Sequence, residues 1–228
     1  RTGDPLELAA HGLAQARATP GSAYRDSDAG VILLGLALQR ATGDSYATLL
    51  DERVFTPLGM GNSAYPAATE LTANVGAGPM PGYVFPVTAE GALDCAAPRE
   101  MTKASASMGF SDAGVVSTTE DLGRYLQALG VNALARGEAA EQRWASSLSP
   151  YVSAPDWYTV TGGGLQAATL VGQIGSAPGT LTAGFVDRKT GMTVVVVLNN
   201  STASSDMTLR LAWELAAIAS KAPASAGQ

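Results

Sequence analysis

Residues 157–200 constrain the fold more than any other part of the chain. Residues 157–160, 169–174, 180–187 and 192–199 are rich in β-branched and aromatic side chains and read as strands. Gly162-Gly163-Gly164 and Arg188-Lys189-Thr190-Gly191 read as the turns between them. Connections this short join antiparallel strands, because a parallel crossover needs a dozen residues or more. Residues 194–198 are apolar without a break, as in a central strand covered on both faces. Residues 206–220 then carry Leu209, Leu211, Ala212, Trp213, Leu215, Ala216 and Ile218, enough apolar surface for a helix to cover that sheet. Residues 223–228 read as a loose tail.

The first half of the chain has helical spacing instead. Asp4 caps and Pro5 opens a short helix carrying Leu6, Leu8, Ala9, Leu13 and Ala16. His11, the single histidine, has no acid, serine or second ligand near it in sequence and is expected on the helix surface. Asp26, Ser27 and Asp28 stand where an N-cap is wanted, ahead of a helix over 28–42. Ser45 caps a third helix, with Tyr46, Leu49, Leu50, Val54 and Phe55 at helical spacing, which Pro57 and Gly59 are expected to stop by turning the chain. Ser117-Thr118-Thr119-Glu120 reads as a capping box before the buried stripe of Leu122, Tyr125, Leu126 and Leu129. Between these, residues 64–107 are rich in Pro, Gly, Ala and Thr, a long irregular excursion. Tyr83 and Phe85, its clustered aromatics, are expected to anchor it.

The 228 residues, 46% hydrophobic and 15% charged, suffice for one sizeable domain. A formal charge of −6 and no Lys or Arg cluster argue against nucleic acid or anionic membrane as partners. No transmembrane segment is expected, since no apolar run reaches spanning length. The single cysteine, Cys95, has no second thiol for a disulfide or metal site and reads as a small loop or core residue. Arg1-Thr2-Gly3 opens the chain with no initiating Met and no signal-like region, so it offers no address.

Four stretches carry a family resemblance. PGSAYRDSDAGVILLG (20–35) resembles the second active-site motif of β-lactamase-related serine hydrolases. That family includes class C β-lactamases, D-Ala-D-Ala carboxypeptidases, esterases and D-aminopeptidases. RVFTPLGMGNS (53–63) and AGVVSTTEDL (113–122) resemble two of its architectural segments. GQIGSAPG (172–179) resembles the third motif, where the family has Lys-Thr-Gly or His-x-Gly followed by Pro-Gly. Aligned without gaps, the family's Tyr-x-Asn falls on Asp26-Ser27-Asp28, with Tyr24 two residues earlier. A two-residue shift restores Tyr24-Arg25-Asp26 but breaks the spacing to Leu33-Leu34-Gly35.

The resemblance implies an α/β fold of the β-lactamase/transpeptidase type, an antiparallel sheet flanked by helices, with a mainly helical lobe. It implies a single domain, divided into a helical lobe with its long loop (1–145) and the sheet with its C-terminal helix (146–222). Tyr24, Asp26 and Asp28 are the implied catalytic positions, and Gln173, Gly175 and Ser176 the implied substrate-binding ones. It also implies a secreted or cell-envelope setting. In the family a serine attacks an ester or amide and a lysine one helical turn later helps deprotonate it. No serine here has a lysine three residues on; Lys103, Lys189 and Lys221 are the only lysines. The expectation is a β-lactamase-fold binding or scaffold module with degraded motifs; the alternative is an active serine hydrolase whose Ser-x-x-Lys lies upstream. No cofactor or metal is expected, since capping explains Asp26 and Asp28 better than an acid/base or metal pair does. A small-molecule or peptide ligand and an N-terminal companion segment covering an exposed sheet edge are the expected partners.

Overall fold

The computed structural model describes residues 4–14, 19, 22, 27–65, 80–101, 109–134, 138, 159–161, 164–167, 169–202 and 205–221. Five strands form an antiparallel sheet in chain order: β3 (Thr159–Thr161), β4 (Gly164–Ala167), β5 (Leu170–Ala177), β6 (Thr180–Asp187) and β7 (Thr193–Leu198). Two short strands, β1 (Tyr83–Val84) and β2 (Arg99–Glu100), pair separately. Local chemistry fixes the long hairpins. Between β5 and β6, Pro178 presets its φ and Gly179 takes φ 89°, so Ala177 pairs directly with Thr180. Between β6 and β7, Gly191 at φ 76° closes the turn, and the Lys189 N–H donates to Asp187 Oδ1 at 2.8 Å.

Two differences from the sequence reading concern this sheet. Residues 164–167, read as the end of a glycine turn and its sequel, form β4, and β5 runs on to Ala177. The run 194–198 is covered on both faces, yet β7 ends the described sheet rather than lying in its middle. The side-chain period of two explains the double covering. Val194 and Val196, with Ala183 and Phe185, pack against Leu209, Ala212 and Ala216 of α7 (Ser205–Ala219). Val171, Val186 and Val195 pack on the other face against Leu126 and Leu129 of α6 (Thr119–Gly130).

The remaining helices form a lobe. In α1 (Pro5–Leu13), Asp4 Oδ1 accepts from the Leu6 N–H at 2.9 Å, and His11 is exposed. In α2 (Asp28–Thr42) the capping residue is Ser27, whose Oγ accepts from the Gly30 N–H at 3.1 Å. Ser45 caps α3 (Tyr46–Leu50) as expected. Of the two residues expected to stop that helix, Gly59 does and Pro57 does not. The chain passes through a π turn, Asp51–Phe55, into α4 (Thr56–Leu58), and ends at Gly59 with φ 65°. Proline lacks the N–H an α-helix would use there and its ring crowds the preceding turn; wider π spacing accommodates both. Ala9, Ile32 and Phe110 form the lobe's core, joined by Tyr46 and Tyr65.

The cap of α6 differs by one residue from the expected box. Thr118, not Ser117, accepts from the third-residue N–H, that of Asp121, at 3.1 Å. Ser117 Oγ instead bonds Ser63 Oγ at 2.7 Å. Thr118→Ala is accordingly expected to cost about 1 kcal/mol and Ser117→Ala less, measured by urea unfolding.

Candidate functional site

The site is built where the hairpin end of β5 and β6 meets the short helix α5 (Phe110–Ala113). Along β5, Gln173, Gly175 and Ala177 point to one face, opposite Gly184, Thr182 and Thr180 of β6. β4 pairs with β5 only as far as Gly172, so residues 173–177 border open space among the described residues. That geometry leaves Gln173, Gly175 and Ser176 exposed. A cavity of about 190 Å³ lies there, lined by Ala113, Val115, Gly175, Ser176, Ala177, Thr180 and Thr182.

Helix α5 is held from behind. Ser111 Oγ donates to the Val31 carbonyl of α2 at 2.8 Å, and Gly35 lets the helices approach where any Cβ would strike Ser111. Phe110 sits at φ 40°, a costly backbone for a bulky residue. Its ring is clasped by Tyr46 and Tyr65, with centroids at 5.4 and 6.4 Å. Burial raises the Tyr46 phenol above its ordinary pKa, assisted by Tyr125; burial, then Tyr46, raises that of Tyr65. Both phenols therefore stay protonated at neutral pH. Helix α2 thus braces α5, and α5 forms the wall facing β5.

Of the expected site residues, Gly175 and Ser176 line the cavity, and Gln173 lies on the same sheet face two residues earlier. Asp28 is exposed on the first turn of α2. Tyr24 and Asp26 lie outside the described residues. Ala113, Val115, Thr180 and Thr182 are lining residues that the sequence did not single out, since small apolar and hydroxyl side chains carry no chemical signature. Among the described residues no group of His, Cys, Asp and Glu is placed to hold a metal ion, and no helix is long and apolar enough to cross a membrane.

The irregular excursion approaches from the hairpin side. The Tyr83 N–H lies at 2.9 Å from the Asn199 carbonyl and 3.2 Å from the Gly179 carbonyl, and its own carbonyl accepts from the Ser201 N–H. The Phe85 N–H donates to Thr202 Oγ1 at 2.7 Å. Main-chain groups at Tyr83 and Phe85 thus anchor this segment. Cys95 is exposed.

Residues 7–218 match the family model described as Beta-lactamase. The chain belongs to the β-lactamase family. Solved structures agree on the family's fold. A D-stereospecific amidohydrolase from Streptomyces sp. superposes with a TM-score of 0.74 at 18% identity, over 93% of this chain and 61% of its own. A penicillin binding protein from Bacillus halodurans gives 0.67 at 24%, over 89% and 60%. The D-amino acid amidase from Ochrobactrum anthropi SV3, complexed with L-phenylalanine amide, gives 0.76 at 18%, over 97% and 65%. The chain thus spans between 60% and 65% of the length of these three neighbours.

Proposed function

We propose that this β-lactamase-family chain is a binding module that takes a neutral amide or ester in the cavity beside β5 without forming an acyl-enzyme. One observation carries the reading: Gln173 stands exposed on the cavity's face of β5, where the family resemblance puts lysine or imidazole. A carboxamide can donate and accept hydrogen bonds, but it cannot titrate or carry positive charge. Two sequence features support it. The chain holds no Ser-x-x-Lys, and Asp26 replaces a phenol donor by a carboxylate, which only accepts when ionised.

The ligand class follows from the lining. Alanine, valine, glycine, serine and threonine side chains present no charge among the described residues. A volume near 190 Å³ suits one ring or short chain, since a cavity of about 150 Å³ already holds benzene. One structural neighbour carries L-phenylalanine amide, which makes that amide the first probe, used above about pH 9 where its α-amine is uncharged.

Two measurements test the reading together. Intact mass after incubation with a β-lactam and with a fluorophosphonate is expected to be unchanged. Phenylalanine amide is expected to shift the backbone amide resonances of Gly175, Ser176 and Thr182 saturably. A covalent adduct or turnover of the amide overturns the non-acylating reading, and the absence of saturable shifts overturns the binding site.

A second reading is an active serine hydrolase whose nucleophile lies outside these residues. It is favoured by the length of the neighbours, more than a third of which lies outside the match. It predicts fluorophosphonate labelling of a longer protein containing these residues.

A further inference from the structure

Among the residues lining the cavity beside β5, Ala177 and Thr180 stand on either side of the Pro178-Gly179 turn. The position of that turn therefore sets one end of the cavity. Proline at its first central position and glycine at φ 89° at its second make it a type II turn. These two residues do not by themselves choose that type. Proline suits the first position of type I as well, and glycine accepts the negative φ that type I requires at the second. The two types differ by a flip of the peptide joining Pro178 to Gly179, which carries the Gly179 N–H. Neither matches the twist of the flanking strands as the mirror-image turns do, and proline forbids those. The choice is made from outside the hairpin.

Three hydrogen bonds make that choice. The Gly179 N–H donates to Ser201 Oγ at 2.8 Å, the Ser201 N–H to the Tyr83 carbonyl at 3.2 Å, and the Tyr83 N–H to the Gly179 carbonyl at 3.2 Å. Each residue donates to the next, so the three close a ring between the hairpin, the loop after β7 and β1. Ser201 Oγ is the ring's one side-chain atom, and so the one member that a substitution can remove. Gly179 is buried, with the strap so close that a Cβ there would lie 2.8 Å from the Gly82 carbonyl carbon. An N–H enclosed in this way is left unsatisfied when the hydroxyl is lost. The peptide flip is the move that relieves it.

We propose that Ser201 is a positioning residue for the cavity: its hydroxyl holds the Pro178-Gly179 peptide in the type II orientation, and so holds Ala177 and Thr180 where a ligand meets them. The proposal rests on the reading that this cavity takes a neutral amide or ester. Ser201 acts through the turn and is not itself part of the lining. Opening the ring divides the hairpin end between two orientations, of which one is competent, and the apparent affinity falls with the competent fraction. The next residue supplies a matched control. Thr202 ties the same loop to the same strap without reaching the turn, its Oγ1 accepting from the Phe85 N–H at 2.7 Å.

The experiment compares the 228-residue chain with its variants Ser201→Ala, Ser201→Thr and Thr202→Ala by nuclear magnetic resonance. Without ligand at neutral pH, Ser201→Ala is expected to speed exchange of the Gly179 amide about tenfold or more and to shift the methyl resonances of Ala177 and Thr180. Thr202→Ala is expected to leave all three as in the wild type, although both alanine variants melt lower. Phenylalanine amide, titrated against the methyl resonances above about pH 9, is expected to bind Ser201→Ala about tenfold more weakly and Thr202→Ala with wild-type affinity. Ser201→Thr, which keeps the hydroxyl, is expected to restore exchange and affinity together. Unchanged Ala177 and Thr180 methyls in Ser201→Ala overturn the proposal, and so does full affinity in that variant. An equal loss of affinity in Thr202→Ala also overturns it, in favour of a general loosening. Failure of the wild type to bind the amide overturns the reading of the cavity instead; the methyl shifts need no ligand and still decide whether Ser201 positions its end.

Discussion

Asp121→Ala is expected to lower the unfolding free energy by about 3 kcal/mol, among the largest losses available from a single polar side chain here. Asp121 is fully buried. Its Oδ2 accepts from the Asn62 N–H at 2.7 Å and from Ser63 Oγ at 2.9 Å, while Oδ1 accepts from Arg124 at 3.0 Å. Removing the carboxylate strands the loop groups, whereas Arg124, itself partly exposed, keeps Glu120 and the Gly59 carbonyl and returns to solvent. The bonds tie the loop after α4 to the first turn of α6, so the loss falls on the junction between lobe and sheet. Thermal unfolding should move down by about 6–12 °C for a chain this size. Asp121→Asn, which keeps an acceptor, is expected to lose about half as much. Equal melting temperatures for wild type and Asp121→Ala would show that the junction does not depend on this side chain.

Gly172→Ala is expected to cost at least as much, about 3 kcal/mol or more, through backbone rather than polar loss. A Cβ at residue 172 would collide with the Gly184 carbonyl oxygen and meet the Phe185 ring at 2.6 Å. Neither can withdraw, because Gly184 is β6 main chain and Phe185 is buried under α7. Far-ultraviolet circular dichroism and a urea melt read the outcome. Three residues along the same strand the expectation reverses. Gly175 has nothing within 4 Å of where its Cβ would stand, so Gly175→Ala should leave stability within about 0.5 kcal/mol. It also lines the cavity, so the same substitution narrows the site and should weaken phenylalanine amide. The pair separates what holds β5 in the sheet from what it offers a ligand.

The sheet was legible because its signals are local: alternating or continuous apolar runs, with Gly179 and Gly191 at the positive φ values their turns require. The strand over Gly164–Ala167 was not, since four residues beginning at a glycine carry too little β preference to stand apart from a turn. The one-residue error at α6 has a different origin. Ser117 and Thr118 are both capping residues, and Glu120 and Asp121 are both acids, so local chemistry cannot choose between the two registers. Asn62 and Ser63, more than fifty residues away, choose by requiring a buried acceptor at Asp121. The π turn before Pro57 is likewise a packing solution, where the sequence shows only a helix-stopping residue. At the cavity, motif spacing singled out Gly175 and Ser176 among the lining residues, but the opposing wall comes from α5, which α2 and the aromatic cluster position.

The excursion around Tyr83 has a consequence for how such a molecule diverges. Its described ties to Gly179, Asn199, Ser201 and Thr202 start from main-chain atoms of Tyr83 and Phe85. Gly82 and Gly179 face each other so closely that a Cβ on Gly82 would lie 2.8 Å from the Gly179 carbonyl oxygen. Those two glycines are therefore fixed, while the side chains beside them are free of the lacing. Substitutions at Tyr83 or Phe85 can change what the segment displays without releasing it from the sheet. Such a surface can change its side chains singly while the main-chain hydrogen bonds that lace it to the sheet persist.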